Sequence, residues 1–196
     1  MIRYKGPKLR IIRRLGELPG LTSKIPKKRH PPGQHARKNN NPTAYAIRLL
    51  EKQKIRYNYG LGERQLINYV KRAKKNKRST SQVLLELIEM RLDNIIFKLG
   101  FVNSINAAKQ LISHKHVKIN NHKLSICSYQ CKKNDKITFI NEKYRQKIKK
   151  LDEKNLPTFI KIDKQQSSIL IHSIVQRNDI DLKINELLVI EYYSKI

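Results

Sequence analysis

Forty-three lysines and arginines stand against fifteen aspartates and glutamates in this chain, a formal net charge of +28 over 196 residues. Self-repulsion on that scale opposes any compact state. The fold is therefore restricted to architectures that keep the cations on solvated faces and build an apolar core behind them. A polyanion that neutralises the excess is the natural partner, and nucleic acid is the commonest. An apolar content of 39% suffices for such a core and excludes a wholly disordered tail. The length suits one or two small domains. No apolar run approaches the roughly 18 residues of a membrane span, and no apolar stretch follows the basic start to make a secretory leader. Two cysteines, Cys127 and Cys131, fit a reducing compartment and no disulfide framework. Lys, Ile and Asn number 29, 26 and 16, the bias that AT-rich genomes, organellar ones included, write into their proteins.

The charge is uneven. Residues 1–90 carry a net +18 and residues 91–196 a net +10, while Asp179 to Ile196 holds four acids against Lys183 and Lys195. Contact with the polyanion is therefore expected in the first half and middle, and the acidic end is expected to pack back on protein. Residues 1–43 read as a basic, extended N-terminal arm. Lys8 to Leu15 could form a short basic helix ended by Gly16, but Pro19-Gly20, Pro26, Pro31-Pro32-Gly33 and Asn39-Asn40-Asn41-Pro42 follow. Proline fixes φ and removes donors, so the arm is expected to bury no core and to order only against its partner. Deleting it should then leave the folded core intact. A solvated tail is the bland alternative, and the prolines and glycines argue against a presequence helix.

Two basic helices come next. Over residues 44–58, Arg48, Lys52 and Arg56 recur every fourth residue. Over 63–77, Leu66, Ile67, Val70 and Ala73 share one face, and Arg64, Asn68, Lys71, Lys75 and Arg78 line the other. Solvated faces normally mix signs; these stripes hold almost no acid, which points to phosphate contact. A single apolar helix is expected from Ser79 to Leu99, with a bend near Arg91 and a stop at Gly100. Ser104 can cap a helix to about His114, with Ile105, Ala108, Leu111 and Ile112 inward and Asn106, Lys109, Gln110, Ser113 and His114 outward. Val117-Lys118-Ile119 and Lys136 to Ile140 alternate as strands, and Asn120-Asn121 can turn through positive φ. Such a donor-rich surface suits phosphates and 2′-hydroxyls of structured RNA better than base reading in a DNA groove.

Met90-Arg91-Leu92-Asp93-Asn94-Ile95, Leu99-Gly100-Phe101, Gln110-Leu111-Ile112, His116-Val117, Ile119-Asn120, Ser128-Tyr129 and Asp135 resemble the S-four RNA-binding module. The flanks narrow the choice. Tyr4, Gly6-Pro7-Lys8, Arg13-Arg14, Glu51-Lys52-Gln53-Lys54, Tyr59-Gly60-Leu61, Glu63-Arg64-Gln65-Leu66, Ser79-Thr80-Ser81-Gln82 and Lys183 to Ser194 are similar to the small-subunit ribosomal protein S-four family, plastid branch. The resemblance implies an α+β fold: a helical first domain over 44–90, completed by 180–196, with the S-four module over 91–155 inserted and strands in 156–179 extending it. It implies no enzyme and no cofactor. The expected partners are 16S-type rRNA, the S-five family neighbour and mRNA near its entry, with no membrane and no small-molecule substrate. The implied role is early attachment to a multi-helix junction of the 5′ domain, nucleating assembly of the subunit. The implied place is the ribosome of a plastid, chloroplast or non-photosynthetic, with a bacterial-type cytoplasm as the fallback.

The RNA-contacting residues expected from stripes and motifs together are Arg3, Tyr4, Lys8, Arg10, Arg13, Arg14, Arg48, Lys52, Arg56, Arg64, Lys71 and Arg91 in the first half. From the module they are Ser104, Asn106, Lys109, Gln110, Ser113, His114, Lys115, His116, Lys118 and Asn120. Tyr45, Tyr57, Tyr59 and Tyr69 could stack on bases or simply pack. Asp93 is expected to orient a helix by pairing with a nearby cation. Many bacterial members hold zinc with four arm cysteines; this arm has none, so no metal is expected. Asn121 stands where the family usually has Gly. An RNA-modifying enzyme carrying the module as an accessory would need a catalytic domain larger than the chain outside 91–145, and no Gly-rich nucleotide loop is present.

Overall fold

The computed structural model describes residues 4–28, 30–34, 41–151, 156–180 and 182–194. Its elements in order are α1 (Lys8–Leu15), α2 (Ala44–Asn58), α3 (Glu63–Lys74), α4 (Thr80–Glu89), α5 (Leu92–Lys98), α6 (Ile105–Ser113), β1 (Val117–Ile119), β2 (His122–Leu124), β3 (Lys136–Phe139), α7 (Glu142–Lys149), β4 (Ile160–Asp163), β5 (Ser168–Ile171), a 3-10 turn (Arg177–Asp179) and α8 (Glu186–Ser194). The chain divides after Leu84, within α4. One unit comprises residues 1–84 and 182–196, the other 85–181.

In the helical unit the local rules act as expected. Gly16, at φ +90°, ends α1 while its N–H donates to the Ile12 carbonyl (2.8 Å). Thr43 caps α2 by accepting from the Ala46 N–H (3.2 Å). The Gln65 side chain reaches back to accept from the Gly62 N–H at the start of α3 (3.2 Å). The acidic C-terminal segment returns here. α8 packs along α2, Glu191 accepts from Arg48 Nε (2.7 Å), and the Asn185 N–H donates to Glu51 (3.0 Å).

The arm departs from expectation. Ile11, Ile12, Leu15, Leu18 and Leu21 are buried in the helical unit. The Gly20 N–H donates to the buried Asn58 Oδ1 (2.9 Å), and Lys8 Nζ donates to the Leu21 carbonyl (3.1 Å). Pro19-Gly20 does not prevent packing. It makes a turn in which Leu21 and Thr22 N–H donate to the Leu18 carbonyl (3.1 and 3.3 Å), presenting Leu18 and Leu21 together. Residues 8–21 are thus part of the core.

The single helix expected over 79–99 is two. Backbone pairing with a distant loop interrupts it: the Leu92 N–H donates to the Tyr129 carbonyl (3.0 Å), the Cys131 N–H to Met90 (2.9 Å), and Arg91 bridges to Gln130. The sheet is five-stranded, antiparallel throughout, in the order β2-β1-β3-β5-β4. Asn120 and Asn121, at φ 47° and 70°, close the two-residue hairpin between β1 and β2. Because strand side chains alternate, Val117, Ile119, Ile137, Phe139, Ile169 and Ile171 enter one core with Ile95, Ile96, Ala108 and Ile112 of α5 and α6. The other face of the sheet carries Lys118, Lys123, Thr138 and Lys161.

Candidate nucleic-acid interface

α3 supplies the clearest basic face. Leu66, Tyr69, Val70 and Ala73 are buried, which turns Arg64, Asn68, Lys71 and Lys75 to solvent. Among the described residues, Arg64, Lys71 and Lys75 have no ion-pair partner. Arg72 and Lys77 are also exposed beside them. Neither was singled out from the sequence, although the dense run Lys71 to Arg78 signals them.

The α2 stripe fares differently. Arg48 is held by Glu191, and Lys52, only 5% exposed, lies 3.0 Å from Glu63 Oε1 and 4.7 Å from the centre of the Tyr192 ring. Arg56 sits 3.8 Å from Glu63 Oε2 and stacks toward Tyr57 (5.5 Å). This corrects the expectation that the stripe is free for phosphate. The neutralising acids come from α3 and α8, so no inspection of α2 alone shows them. Lys52 in particular is a packing residue.

Glu63 is the centre of that cluster, because Tyr193 also donates its hydroxyl to Oε1 (2.7 Å). Burial pushes the Glu63 carboxyl up, but the Tyr193 hydroxyl and the Lys52 ammonium outweigh it and hold the group below its ordinary value. With the folded pKa below the unfolded one, the contribution is present above the unfolded pKa and is lost as pH falls through the folded one. Thermal melts of wild type should therefore lose more stability between about pH 5 and pH 3 than those of Glu63→Gln. Parallel acid profiles would contradict this assignment.

At α1, Arg13 donates to the His30 (2.9 Å) and Pro31 (3.2 Å) carbonyls, so it and Lys8 hold the arm in place. Arg10 and Arg14 remain exposed. Tyr4 meets Tyr57 edge to face (5.5 Å, 79°); Arg3 lies outside the described residues. Of the tyrosines left open, Tyr59 and Tyr69 are buried, whereas Tyr45 is 60% exposed with its ring 5.8 Å from Tyr192.

In the sheet unit, two expected RNA contacts are instead buried around Asp93. Arg91, 2% exposed, donates from Nε to Oδ1 (3.0 Å) and from a terminal nitrogen to Oδ2 (2.6 Å) of Asp93, which is itself 1% exposed. Lys109 Nζ lies 3.8 Å from the same Oδ2, and the Asn94 N–H donates to Oδ1 (2.9 Å). Burial lowers the Lys109 pKa, and Asp93 partly restores it. The outward assignment of Lys109 from helical spacing fails because the acid that draws it in sits on α5. Asp93 acts as the orienting carboxylate its position suggested.

Other expected donors have local duties. Ser104 caps α6 through the Ala107 N–H (3.4 Å), and the Ser113 hydroxyl donates to the Lys109 carbonyl (2.7 Å). Asn120 donates to Asp135 Oδ1 (2.9 Å) and accepts from the Lys136 N–H (2.9 Å), locking the hairpin. Gln110, His114 and Lys115 are exposed, Asn106 and His116 half-buried, and the two histidine rings stand 6.1 Å apart. These five make the α6 surface. Lys118 belongs elsewhere: it lines a groove with Thr138 and α7. Among the described residues no three His, Cys, Asp or Glu side chains form a metal-ligand set. Cys127 and Cys131 are free and buried, and burial pushes the Cys131 thiol up.

Comparison with known proteins accounts for this arrangement. Residues 3–89 match the ribosomal protein S4/S9 N-terminal domain and residues 90–137 the S4 domain. The chain is 53% identical over 204 residues to the small ribosomal subunit protein uS4c of Cyanophora paradoxa, with 100% of each chain covered. It is 50% identical over 206 residues to uS4c of Prototheca wickerhamii (100% and 99% covered). Against uS4 of Thermosynechococcus vestitus the identity is 48% over 200 residues (100% and 99% covered). Both halves of the chain are matched in order and the relatives are covered end to end: the chain belongs to the ribosomal protein S4 family.

Proposed function

We propose that the chain is a structural component of a small ribosomal subunit and binds its 16S-type rRNA without catalysis. The observation that carries this reading is the α3 face. Arg64, Lys71 and Lys75 are exposed and without ion-pair partners among the described residues, in a chain whose full-length relatives are named small ribosomal subunit proteins. A protein that keeps its cations unpaired at the cost of self-repulsion is suited to phosphate. Arg10 and Arg14 extend the contact in the helical unit, and the α6 surface serves the S-four module, residues 91–155 with 156–179 continuing it. The finer assignment is early attachment to the 5′ domain, nucleation of assembly, neighbours of the S-five family and mRNA near its entry. The names uS4c and uS4 among the relatives favour a plastid ribosome.

Binding to a 5′-domain rRNA fragment, titrated against salt, tests the reading. The slope of log K against log[salt] should be about 0.7–0.9 per phosphate contacted. Replacing Arg64, Lys71 and Lys75 with Gln should lower that slope by about 2–3. A salt-independent affinity of the wild type would end the proposal.

A further inference from the structure

The register of the sheet sets like charges against each other on its solvent face. Lys118 of β1 lies directly opposite Lys123 of β2 and, on its other side, opposite Thr138 of β3. Lys136 of β3 and Lys161 of β4 flank Leu170 in the next row of the same face. Directly opposed like charges destabilise a strand pair. Asp163 is the one acid on the strands of this face, at its far edge, where it accepts from the Gln165 and Gln166 N–H groups (3.0 and 3.1 Å).

α7 extends this face. Its buried Ile148 anchors it to the core, which turns Arg145 and Lys149 to a polar groove of about 450 Å³ shared with Lys118, Thr138, Asn121 and Gln165. Among the described residues, Glu142 is the single acid in the lining. Arg145 Nε donates to the Phe139 carbonyl (2.7 Å), which fixes the guanidinium at the groove. Among the described residues, Lys118 and Lys149 have no ion-pair partner.

We infer that this open sheet face and groove form a second RNA-contact surface, which takes a phosphodiester backbone and is distinct from the α6 surface. The alternation along β1 and β3 separates the two. Val117, Ile137 and Phe139 point into the core that α6 covers, and Lys118 and Thr138 point the opposite way. Among the described residues no aromatic side chain lines the groove on which a base could stack; cations and amide donors suit phosphate oxygens, so contact here positions RNA without reading its sequence. The Lys118–Lys123 repulsion, which no ion pair relieves among the described residues, is relieved by the bound anion.

This inference rests on the rRNA-binding reading, and one experiment separates the two. The wild type and a Lys118→Gln/Arg145→Gln/Lys149→Gln variant are compared for salt-dependent binding and hydroxyl-radical footprints on the 5′-domain RNA. The variant should lose about 2–3 from the salt slope and the protection of one RNA segment, different from the segment that a Gln110→Ala/His114→Ala variant exposes. Unchanged slope and footprint, with wild type still steeply salt-dependent, would overturn the groove and leave the rRNA reading standing. A salt-independent wild type would remove both. Loss of polyglutamate binding with RNA protections intact would make the face a protein-docking surface and overturn the inference. Lys118→Gln alone should also raise the melting temperature of the free protein; a fall would remove the strained-lysine premise.

Discussion

Removing residues 1–43 should leave the helical unit without a cooperative unfolding transition. Five aliphatic side chains of this segment, Ile11, Ile12, Leu15, Leu18 and Leu21, are buried. At about 1.5–3 kcal/mol for each fully buried aliphatic side chain, their loss removes roughly 7–15 kcal/mol of gross stabilisation. Whole domains are stable by about 5–15 kcal/mol, so the deletion is comparable to everything available. It also removes the hydrogen bond from the Gly20 N–H to Asn58 Oδ1. A milder probe is Leu18→Ala, expected to cost about 2–5 kcal/mol through the cavity it leaves. Circular-dichroism melts and urea titrations of both variants measure this. A truncated chain that melts cooperatively at the wild-type temperature would show that the segment merely lies on a core complete without it. That is the result composition alone anticipates.

Asp93→Ala should destabilise the sheet unit by about 3–5 kcal/mol, the usual cost of breaking a buried pair by removing one partner. Here the cost has a specific origin. Asp93 is the shared counter-charge of Arg91 and Lys109, and its removal leaves both cations buried without it. It also frees the Asn94 N–H at the start of α5. Asp93→Asn keeps the shape and one acceptor, so the difference between the two variants isolates the charge. Denaturant unfolding gives both numbers. A cost below about 1 kcal/mol, typical of a surface ion pair, would mean that water reaches the cluster. Arg91→Gln separates the two roles of the motif: burial predicts lower stability with an unchanged RNA salt slope, whereas direct RNA contact predicts a slope lower by about 0.7–0.9 with stability retained.

Periodicity made α2, α3 and α6 legible: a basic residue at every fourth position in α2, an apolar face at helical spacing in α3 and α6, and the Ser104 start of α6. The break between α4 and α5 was not legible. Leu84, Leu87, Ile88, Leu92 and Ile95 continue the helical spacing straight through it, and only pairing of Met90, Arg91 and Leu92 with residues 129–131 opens the helix. α7 escaped for the opposite reason, since one buried residue, Ile148, gives too weak a stripe to see. The exposure of the α3 basic face and of Gln110, His114 and Lys115 was readable from spacing. Lys52, Arg91 and Lys109 were misread, because each has an apolar or amphipathic helix context that looks outward until its acid partner is placed beside it.

The amino-acid sequence by itself determined the sign of the partner, the α+β class and the family, because these follow from total charge, apolar period and an ordered set of motifs. Tertiary structure alone decided which cations remain free to meet RNA. Glu191 lies 143 positions from Arg48 along the chain yet 2.7 Å from it in space. Coulomb attraction depends on the second separation and on the burial around it. A basic residue is therefore an RNA contact or a structural ion only according to what folds against it.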